Sequence, residues 1–212
     1  MSVYVPPPDA GLVPIHCDEY FLVVDKPAGL LAVPGRGEEK QDCMASRVQR
    51  EFPDALIVHR LDMATSGLMV FARGIAMQRR LSEMFREREV IKRYVAIVAG
   101  APKPASGSVN LPIAEDWGNR PRRKIDAESG KPSLTHYRVL EQHAESARVE
   151  LEPVTGRTHQ LRIHMMASGH PIAGDSLYGG KPAGRLMLHA CELRFDHPAS
   201  CMPLIFSSAA PF

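Results

Sequence analysis

The chain has 212 residues, a formal net charge of +2 and a hydrophobic content of 44%. That length supports one sizeable core, and the composition is ordinary for a globular protein. The sequence has no run near the roughly 18 apolar residues needed to span a bilayer. Its N-terminal region, with Pro6-Pro7-Pro8 before Asp9, does not resemble a secretory signal. We therefore expect one cytoplasmic domain over residues 1–212, with residues 1–17 as an N-terminal extension.

The four cysteines favour neither a disulfide framework nor a zinc site. Cys17, Cys43, Cys191 and Cys201 form no C-x-x-C pair and show no zinc-ribbon spacing. Reduced thiols in a cytoplasmic protein explain them. The sequence also lacks a P-loop and a Gly-rich dinucleotide fingerprint. It thus indicates neither a metal nor a nucleotide cofactor.

Hydrophobic periodicity predicts a series of strands and three helices. In chain order, the predicted strands cover residues 20–25, 56–58, 68–73, 94–99, 134–140, 147–153 and 186–190. The predicted helices cover residues 42–52, with Asp42 as the cap, then 75–87 and 158–168. The segments 134–140 and 147–153 alternate in a way typical of neighbouring antiparallel strands. The pattern predicts an α+β fold, with a mixed, largely antiparallel sheet flanked by helices and loops.

The segment from His59 to Leu68 contains the first candidate site. Asp62 lies two residues after Arg60, on a Gly-containing loop that leads into an apolar run predicted to be a buried strand. A charge beside a core strand is rare unless it is paired or does chemistry. Two interpretations follow from the residues alone. Asp62 caps a turn or pairs locally with Arg60, or it is a reactive carboxylate.

A second motif, GRTHQLRIH at residues 156–164, places Arg162 on a predicted helix among apolar neighbours. A guanidinium in such surroundings needs a partner, and a carboxylate matches it as a fork. That partner could be a structural acid such as Asp175. His159 and His164 lie about 140° apart around a helix, so that helix could not use both to hold a metal. Capping or hydrogen-bonding roles suit the two histidines better.

Basic residues concentrate in two stretches of this nearly neutral chain. Between residues 79 and 93, six basic residues are mixed with three glutamates. This mixture fits either an electropositive face or an ordinary solvated helix surface. The second stretch contains Arg120, Arg122, Arg123 and Lys124 with little acidic company, between two glycines. It predicts a mobile loop suited to phosphate contact.

Taken together, these motifs resemble those of the RluA family of pseudouridine synthases. The matching blocks, in family order, are Lys26-Pro27-Ala28-Gly29-Leu30, His59-Arg60-Leu61-Asp62 with Thr65-Ser66-Gly67, Lys92-Arg93-Tyr94, Gly130-Lys131-Pro132, residues 156–164, Gly169-His170-Pro171-Ile172, Gly174-Asp175 with Tyr178-Gly179, and Leu188-His189-Ala190. They cover nearly the whole chain. Met63-Ala64 stands where many members have Lys-Asp, as in the subgroup that modifies both 23S rRNA and tRNA anticodon stem-loops. We expect no N-terminal S4 domain.

The resemblance implies the pseudouridine synthase fold and an isomerase that acts on structured RNA without cofactor or metal. Asp62 would be the catalytic carboxylate, and Arg162 would pair with it and keep it ionised. Tyr94 would stack on the uracil, and Leu188 would close the apolar side of the pocket. Arg60 would fill the space left by the flipped base. Further RNA contacts are expected from His59, Lys26, Arg157, Arg120, Arg122, Arg123 and Lys124.

Without the resemblance, other interpretations stay open. Tyr94 could be a core aromatic residue, and Lys26 a surface charge at a turn. A catalytically silent RNA-binding protein of the same fold would have no reason to keep a buried carboxylate near RNA. A metal-dependent nuclease would need several clustered acidic ligands, and only Asp62 is so placed. No long apolar surface helix is predicted, so we expect a monomer.

Overall fold

The structure is a computed structural model that describes residues 4–212. These residues divide into two compact units, one with the residues up to Ile91 and residues 190–211, the other with residues 92–189 and Phe212. No S4 domain is among residues 4–212, as predicted. The first three residues of the predicted N-terminal extension lie outside the described part of the chain.

The described strands and helices follow one another without an internal repeat. The strands are β1 His16–Cys17, β2 Phe21–Lys26, β3 Ala55–Ile57, β4 Ser66–Arg73, β5 Ile91–Ala99, β6 Ser106–Asn110, β7 Ile113–Glu115, β8 Arg123–Ile125, β9 Leu134–Gln142, β10 Ser146–Pro153, β11 Leu188–Asp196 and β12 Pro203–Ser207. The α-helices are α1 Met44–Glu51, α2 Ile75–Arg86 and α3 Gln160–Ala167. Strands joined in a mixed, largely antiparallel sheet and three helices define the α+β class, as predicted.

The first unit is built around β4. This strand pairs antiparallel with β2 and β3 and neighbours β11, which in turn pairs with β12. The first seven residues of β4 are buried, with neighbouring strands along its edges and helix α2 packed against it. A strand covered on both faces reads as an unbroken apolar run, which is the pattern that predicted it. The core of this unit contains Phe21, Val23, Leu68, Val70, Ala72, Leu81, Met84, Val90, Leu193, Phe195 and Phe206.

The second unit contains the strand order β5-β10-β9-β6, with each neighbouring pair antiparallel. The predicted pairing of segments 134–140 and 147–153 is confirmed by β9 and β10, with Leu151 opposite Tyr137. The short strands β7 and β8 form a separate two-stranded hairpin. Ile113 at the start of that hairpin packs with Ile163 of α3 and with Tyr178.

The predicted cap of α1 was wrong. Cys43, rather than Asp42, is the N-cap: its Sγ accepts a hydrogen bond from the Ser46 amide at 3.4 Å, and Ser46 Oγ accepts from the Cys43 amide at 2.9 Å. This is a capping box with a thiol in the usual hydroxyl position. Asp42 is engaged elsewhere, since both of its oxygens accept hydrogen bonds at 2.8 Å from the buried Arg47.

Other element boundaries also moved. Helix α3 begins at Gln160 rather than residue 158, because His159 adopts a left-handed conformation with φ of 57°. The last predicted strand, residues 186–190, covers only the start of β11, which continues to Asp196. The hairpin β7–β8, strand β6 and strand β12 were not predicted at all. Each of these strands is five residues or shorter and has at most one buried position.

None of the helices in residues 4–212 is long and apolar enough to cross a membrane.

Candidate active site and RNA-facing surface

Asp62 lies on the loop between β3 and β4 in the first unit. Its backbone carbonyl accepts a hydrogen bond from the Thr65 amide at 3.1 Å, which closes a tight turn. Leu61 and Thr65 on either side are buried, while Asp62 itself is half-buried. The turn therefore anchors both of its ends in the core and leaves Asp62 partly exposed.

The buried side chain of Lys26 stabilises the Asp62 loop through hydrogen bonds to backbone carbonyls. It is fully buried, and its ammonium donates hydrogen bonds to the carbonyls of Pro27 at 2.8 Å, Leu30 at 2.7 Å and Met63 at 3.1 Å. The Met63 carbonyl also accepts from the Gly29 amide at 2.8 Å. The alternative that Lys26 is a surface charge is therefore wrong. Because the side chain is fully enclosed, we assign Lys26 to the support of the Asp62 loop rather than to RNA contact.

His59 binds β4 just beyond the point where β3 stops pairing with that strand. Its Nε2 accepts a hydrogen bond from the Val70 amide at 2.9 Å, and its ring stacks on Phe85 with centroids 4.4 Å apart. The imidazole thus satisfies a strand amide that β3 no longer reaches. Arg60, the next residue, is exposed. RNA contact by either residue stays a prediction.

In the second unit, Arg162 forms a buried fork with Asp175. Its Nε and Nη2 each donate to one carboxylate oxygen at 2.7 Å, and the two side chains are 6% and 0% exposed. Asp175 is thus a carboxylate partner of Arg162, as one interpretation of the sequence proposed. Burial alone would raise the pKa of Asp175. Hydrogen bonds from Arg162, its charge and the amides of Leu177 and Tyr178 outweigh that effect and hold the pKa below its ordinary value.

Tyr178 extends this buried network, and sequence reasoning gave it no role. Its ring lies 5.3 Å from the Arg162 guanidinium carbon. Its hydroxyl oxygen accepts from the Arg123 amide at 2.8 Å and lies 2.9 Å from His159 Nδ1. The phenol therefore ties the start of α3 to strand β8. The one available signal was the spacing of Asp175 and Tyr178 in the motif Gly-Asp-x-x-Tyr-Gly.

Both histidines of the second motif have hydrogen-bond partners. His159 stands at the N-cap position of α3, and its side chain contacts the Tyr178 hydroxyl rather than the helix backbone. His164 is buried, with Nε2 donating to the Leu111 carbonyl and Nδ1 next to Thr135 Oγ1, both at 2.9 Å. A carbonyl can only accept, so Nε2 carries the proton of the neutral ring. Burial lowers the pKa of His164, and the bond to Leu111 opposes this shift only in part.

Tyr94 and Leu188 are also placed in the second unit. Tyr94 lies on β5 opposite Leu151 of β10 and is half-buried, so it is not enclosed in the core as the alternative interpretation assumed. Leu188 is the first residue of β11 and is 3% exposed. Their predicted contacts with uracil stay predictions.

The basic segment 120–124 is not a free loop. Arg123 and Lys124 belong to strand β8, and the hairpin supplies the acidic company that the sequence analysis missed. Glu115 pairs with Arg120 at 3.3 Å and with Arg123 at 2.6 Å. Asp126 pairs with Lys124 at 2.8 Å. Arg122 and, further along the chain, Arg157 are exposed.

The mixed charges between residues 79 and 93 behave as a solvated surface on and beside α2. Arg80 pairs with Glu83 and Glu89, and Arg86 pairs with Glu83 and Glu87, at 2.9 to 3.8 Å. All of these side chains are exposed, so each pair contributes little to stability. The interpretation as an ordinary helix surface explains these pairs.

Among residues 4–212, no group of three or more His, Cys, Asp or Glu residues is placed to hold a metal. None of the four cysteines, all of which lie in residues 4–212, forms a disulfide.

The family of this chain follows from comparisons with known proteins. The profile of the RNA pseudouridylate synthase family matches residues 20–167, which include the Asp62 loop, Tyr94 and Arg162. The chain therefore belongs to the RNA pseudouridylate synthase family, a family of isomerases, and the resemblance of its motifs to this class is confirmed.

Individual relatives match over their whole length. The chain is 50% identical to the dual-specificity RNA pseudouridine synthase RluA of Escherichia coli, covering 100% of this chain and 99% of that protein. It is 47% identical to the protein of the same name from Pasteurella multocida, covering 99% and 98%. The solved structure of human RNA pseudouridylate synthase domain containing 1 superposes with a TM-score of 0.80 at 31% identity, covering 98% of this chain and 87% of that one.

Proposed function

We propose that this protein converts specific uridines of structured RNA to pseudouridine, with Asp62 as the catalytic carboxylate. Family membership and 50% identity along the entire chain to a named dual-specificity RNA pseudouridine synthase carry the proposal. The geometry around Asp62 supports it, because the carboxylate is half-buried on a loop held by Lys26 and Thr65. A rigid loop is what a positioned nucleophile or base requires.

The reaction breaks the N1–C1′ bond of uridine, rotates the base and forms a C5–C1′ bond. C5 loses its proton and N1 gains one, so the composition and oxidation state do not change. Chemistry of this kind needs a positioned acid–base group and no cofactor. We assign Asp62 as the ionised oxygen next to the sugar and base. Tyr94 is assigned to stack on the uracil and to assist proton transfer.

Arg162 is assigned as the cation that keeps the catalytic carboxylate ionised. The fork with Asp175 uses two of the five N–H donors of the guanidinium, so the same group can also serve a second carboxylate. Asp175 fixes the plane of the guanidinium and supplies a permanent negative charge beside it. The pair thus supports a preorganised cation in the second unit.

For recognition, we propose that Arg60 stacks in the space left by the flipped uridine and that Leu188 closes the apolar side of the base pocket. The exposure of Arg60 and the burial of Leu188 suit these assignments. Arg122 and Arg157 are assigned to phosphates. Phosphate contacts set the position of the RNA and make its binding salt-dependent.

We further propose that the chain acts on two classes of RNA, since the relatives carry the words dual-specificity in their name. The two substrates implied by the resemblance at Met63-Ala64 are 23S rRNA and a tRNA anticodon stem-loop. The protein is proposed to act as a cytoplasmic monomer. The family match extends over parts of both units, which supports treating residues 1–212 as one catalytic domain.

The test is an assay of pseudouridine formation by the purified protein with excess EDTA and no added nucleotide. The substrates are an unmodified anticodon stem-loop and a 23S rRNA fragment, and a scrambled stem-loop serves as control. Product on both authentic RNAs, and none on the control, is the expected result. Product on one RNA would overturn dual specificity alone. Free uracil or strand scission would instead identify a hydrolase.

A further inference from the structure

A groove beside the β7–β8 hairpin carries features that the reaction at Asp62 does not use. It lies within the second unit and has a volume of about 600 Å³, which falls in the range of small-ligand sites. Trp117, the single tryptophan of the sequence, stands in its lining and is 71% exposed. An indole left so open to water is typical of a binding surface, because burying it on a partner releases a large apolar area.

Arg120 holds this indole in a defined orientation. Its guanidinium carbon lies 3.8 Å from the ring centroid, which is a close cation–π stack. Glu115 in turn holds Arg120 at 3.3 Å and Arg123 at 2.6 Å. One face of the indole is therefore covered by a fixed planar cation, and the high exposure of the side chain leaves the other face open to a planar ligand.

The charge of the groove favours an anion. Lys131 and Arg157 line it, and neither has a carboxylate partner among the described residues 4–212. Lys131 is held in place by its antiparallel bridge to Ile113 of β7. The three paired cations of the hairpin, Arg120, Arg123 and Lys124, share only the two carboxylates of Glu115 and Asp126. Lys131 and Arg157 add further positive charge next to an open aromatic face, which matches a planar base attached to a phosphate.

We propose that this groove binds an unpaired nucleotide of the RNA substrate, with its base stacked on Trp117 and a neighbouring phosphate held by Lys131 and Arg157. The proposal rests on the proposed function, since it takes RNA as the partner. An acidic peptide would satisfy the two cations, but it offers nothing planar to the indole. The groove is a second contact with RNA, separate in its residues from the assigned reaction at Asp62.

Because Trp117 is the only tryptophan, its fluorescence reports on this groove directly. The probe is tetra-adenylate, a short single strand without uridine, titrated into the full chain and into the Asp62→Asn variant. We expect saturable quenching in both proteins. Lys131→Gln combined with Arg157→Gln should weaken binding at least about tenfold. The slope of log Kobs against log salt concentration should become shallower by roughly 0.7 per lost phosphate contact. Lys103→Gln, at an exposed lysine outside the groove, is the matched control and should change neither value.

A second readout uses turnover on the RNA substrate. Trp117→Ala should raise KM about tenfold and change kcat less than about twofold, while Trp117→Phe should restore most of the KM. Equal quenching by tetraglutamate, absence of quenching, or an unchanged KM in Trp117→Ala would overturn the proposal. Quenching without any pseudouridine formation would leave the groove standing and refute the proposed function. Turnover with no quenching would support the proposed function and refute nucleotide binding in the groove.

Discussion

Arg162 and Asp175 form a buried, bidentate ion pair with both hydrogen bonds at 2.7 Å. The fork fixes the plane of the guanidinium. The amides of Leu177 and Tyr178 donate to the same carboxylate, so Asp175 is surrounded by donors. A buried charge of this kind is tolerated only when all of its partners are present. The pair therefore makes the position of Arg162 a property of the fold.

Replacing Asp175 by asparagine should destabilise the protein strongly. Asp175→Asn leaves a buried guanidinium without its counter-charge, a loss of about 3–5 kcal/mol in the free energy of unfolding. Urea denaturation measures it. Glu150→Gln is a suitable control. Glu150 pairs with Arg138 at 3.1 Å, the Arg138 side chain is exposed, and such a pair contributes about 0–1 kcal/mol. Equal losses in the two variants would contradict the assigned role of the fork.

His164 should make stability depend on pH in the weakly acidic range. Its pKa in the folded protein is lowered by burial. The unfolded chain therefore binds the proton more readily, with a pKa of about 6.5. The contribution of His164 to stability is fully present above that value and is lost as the pH falls below it.

Thermal denaturation between pH 8 and pH 5 tests this dependence on pH. The His164→Gln variant should lose much of the slope seen below about pH 6.5 in the unmodified protein. His143→Gln, at an exposed position, should retain it. A slope that is the same in all three proteins would show that another group is responsible.

Lys26 should affect turnover more than RNA binding. In Lys26→Met, the ammonium that serves three carbonyls is lost, and each buried carbonyl left without a donor costs about 1–3 kcal/mol. The Asp62 loop then loses a support at Met63, so kcat should fall. The Kd for RNA, measured by filter binding, should stay within about twofold. A weaker Kd in a stably folded variant would instead place Lys26 in contact with RNA.

Gly67 is required by close packing within the first unit. A Cβ built there would lie 2.3 Å from the Ala190 carbonyl oxygen and 2.5 Å from its nitrogen, and φ is +115°. Both neighbours are backbone atoms, so they cannot turn aside as a side chain would. Gly67→Ala should therefore cost at least about 2 kcal/mol in the free energy of unfolding. Gly156→Ala, where nothing lies within 4 Å, is the control and should stay near the unmodified value.

The sequence predicted best the elements with a clear apolar pattern. An unbroken apolar run predicted the buried strand β4, and the helical spacing of apolar residues predicted α2. The β7–β8 hairpin was missed because its three-residue strands are rich in Arg, Lys and Glu, and only the fold brings Glu115 opposite Arg123. Periodicity cannot reveal a pairing of that kind.

The candidate site divides in the same way. A guanidinium among apolar residues predicted a carboxylate partner, and the choice of Asp175 depended on a turn that brings it to α3. Asp42 was a reasonable cap by residue type, but Arg47 competes for its carboxylate. Such competition between side chains depends on distances that chain order does not contain.

The rate of pseudouridine formation under single-turnover conditions, at saturating RNA, tests the central claim most directly. It should be measured for the unmodified protein and for Asp62→Asn, with the Kd for the same RNA determined in parallel. We predict a fall in rate of at least about a thousandfold with the Kd within about threefold, because a neutral amide replaces the ionised carboxylate while the binding surface stays. A rate in Asp62→Asn within tenfold of the unmodified protein would refute Asp62 as the catalytic residue. RNA binding without any product from the unmodified protein would identify a catalytically silent RNA-binding member of the family.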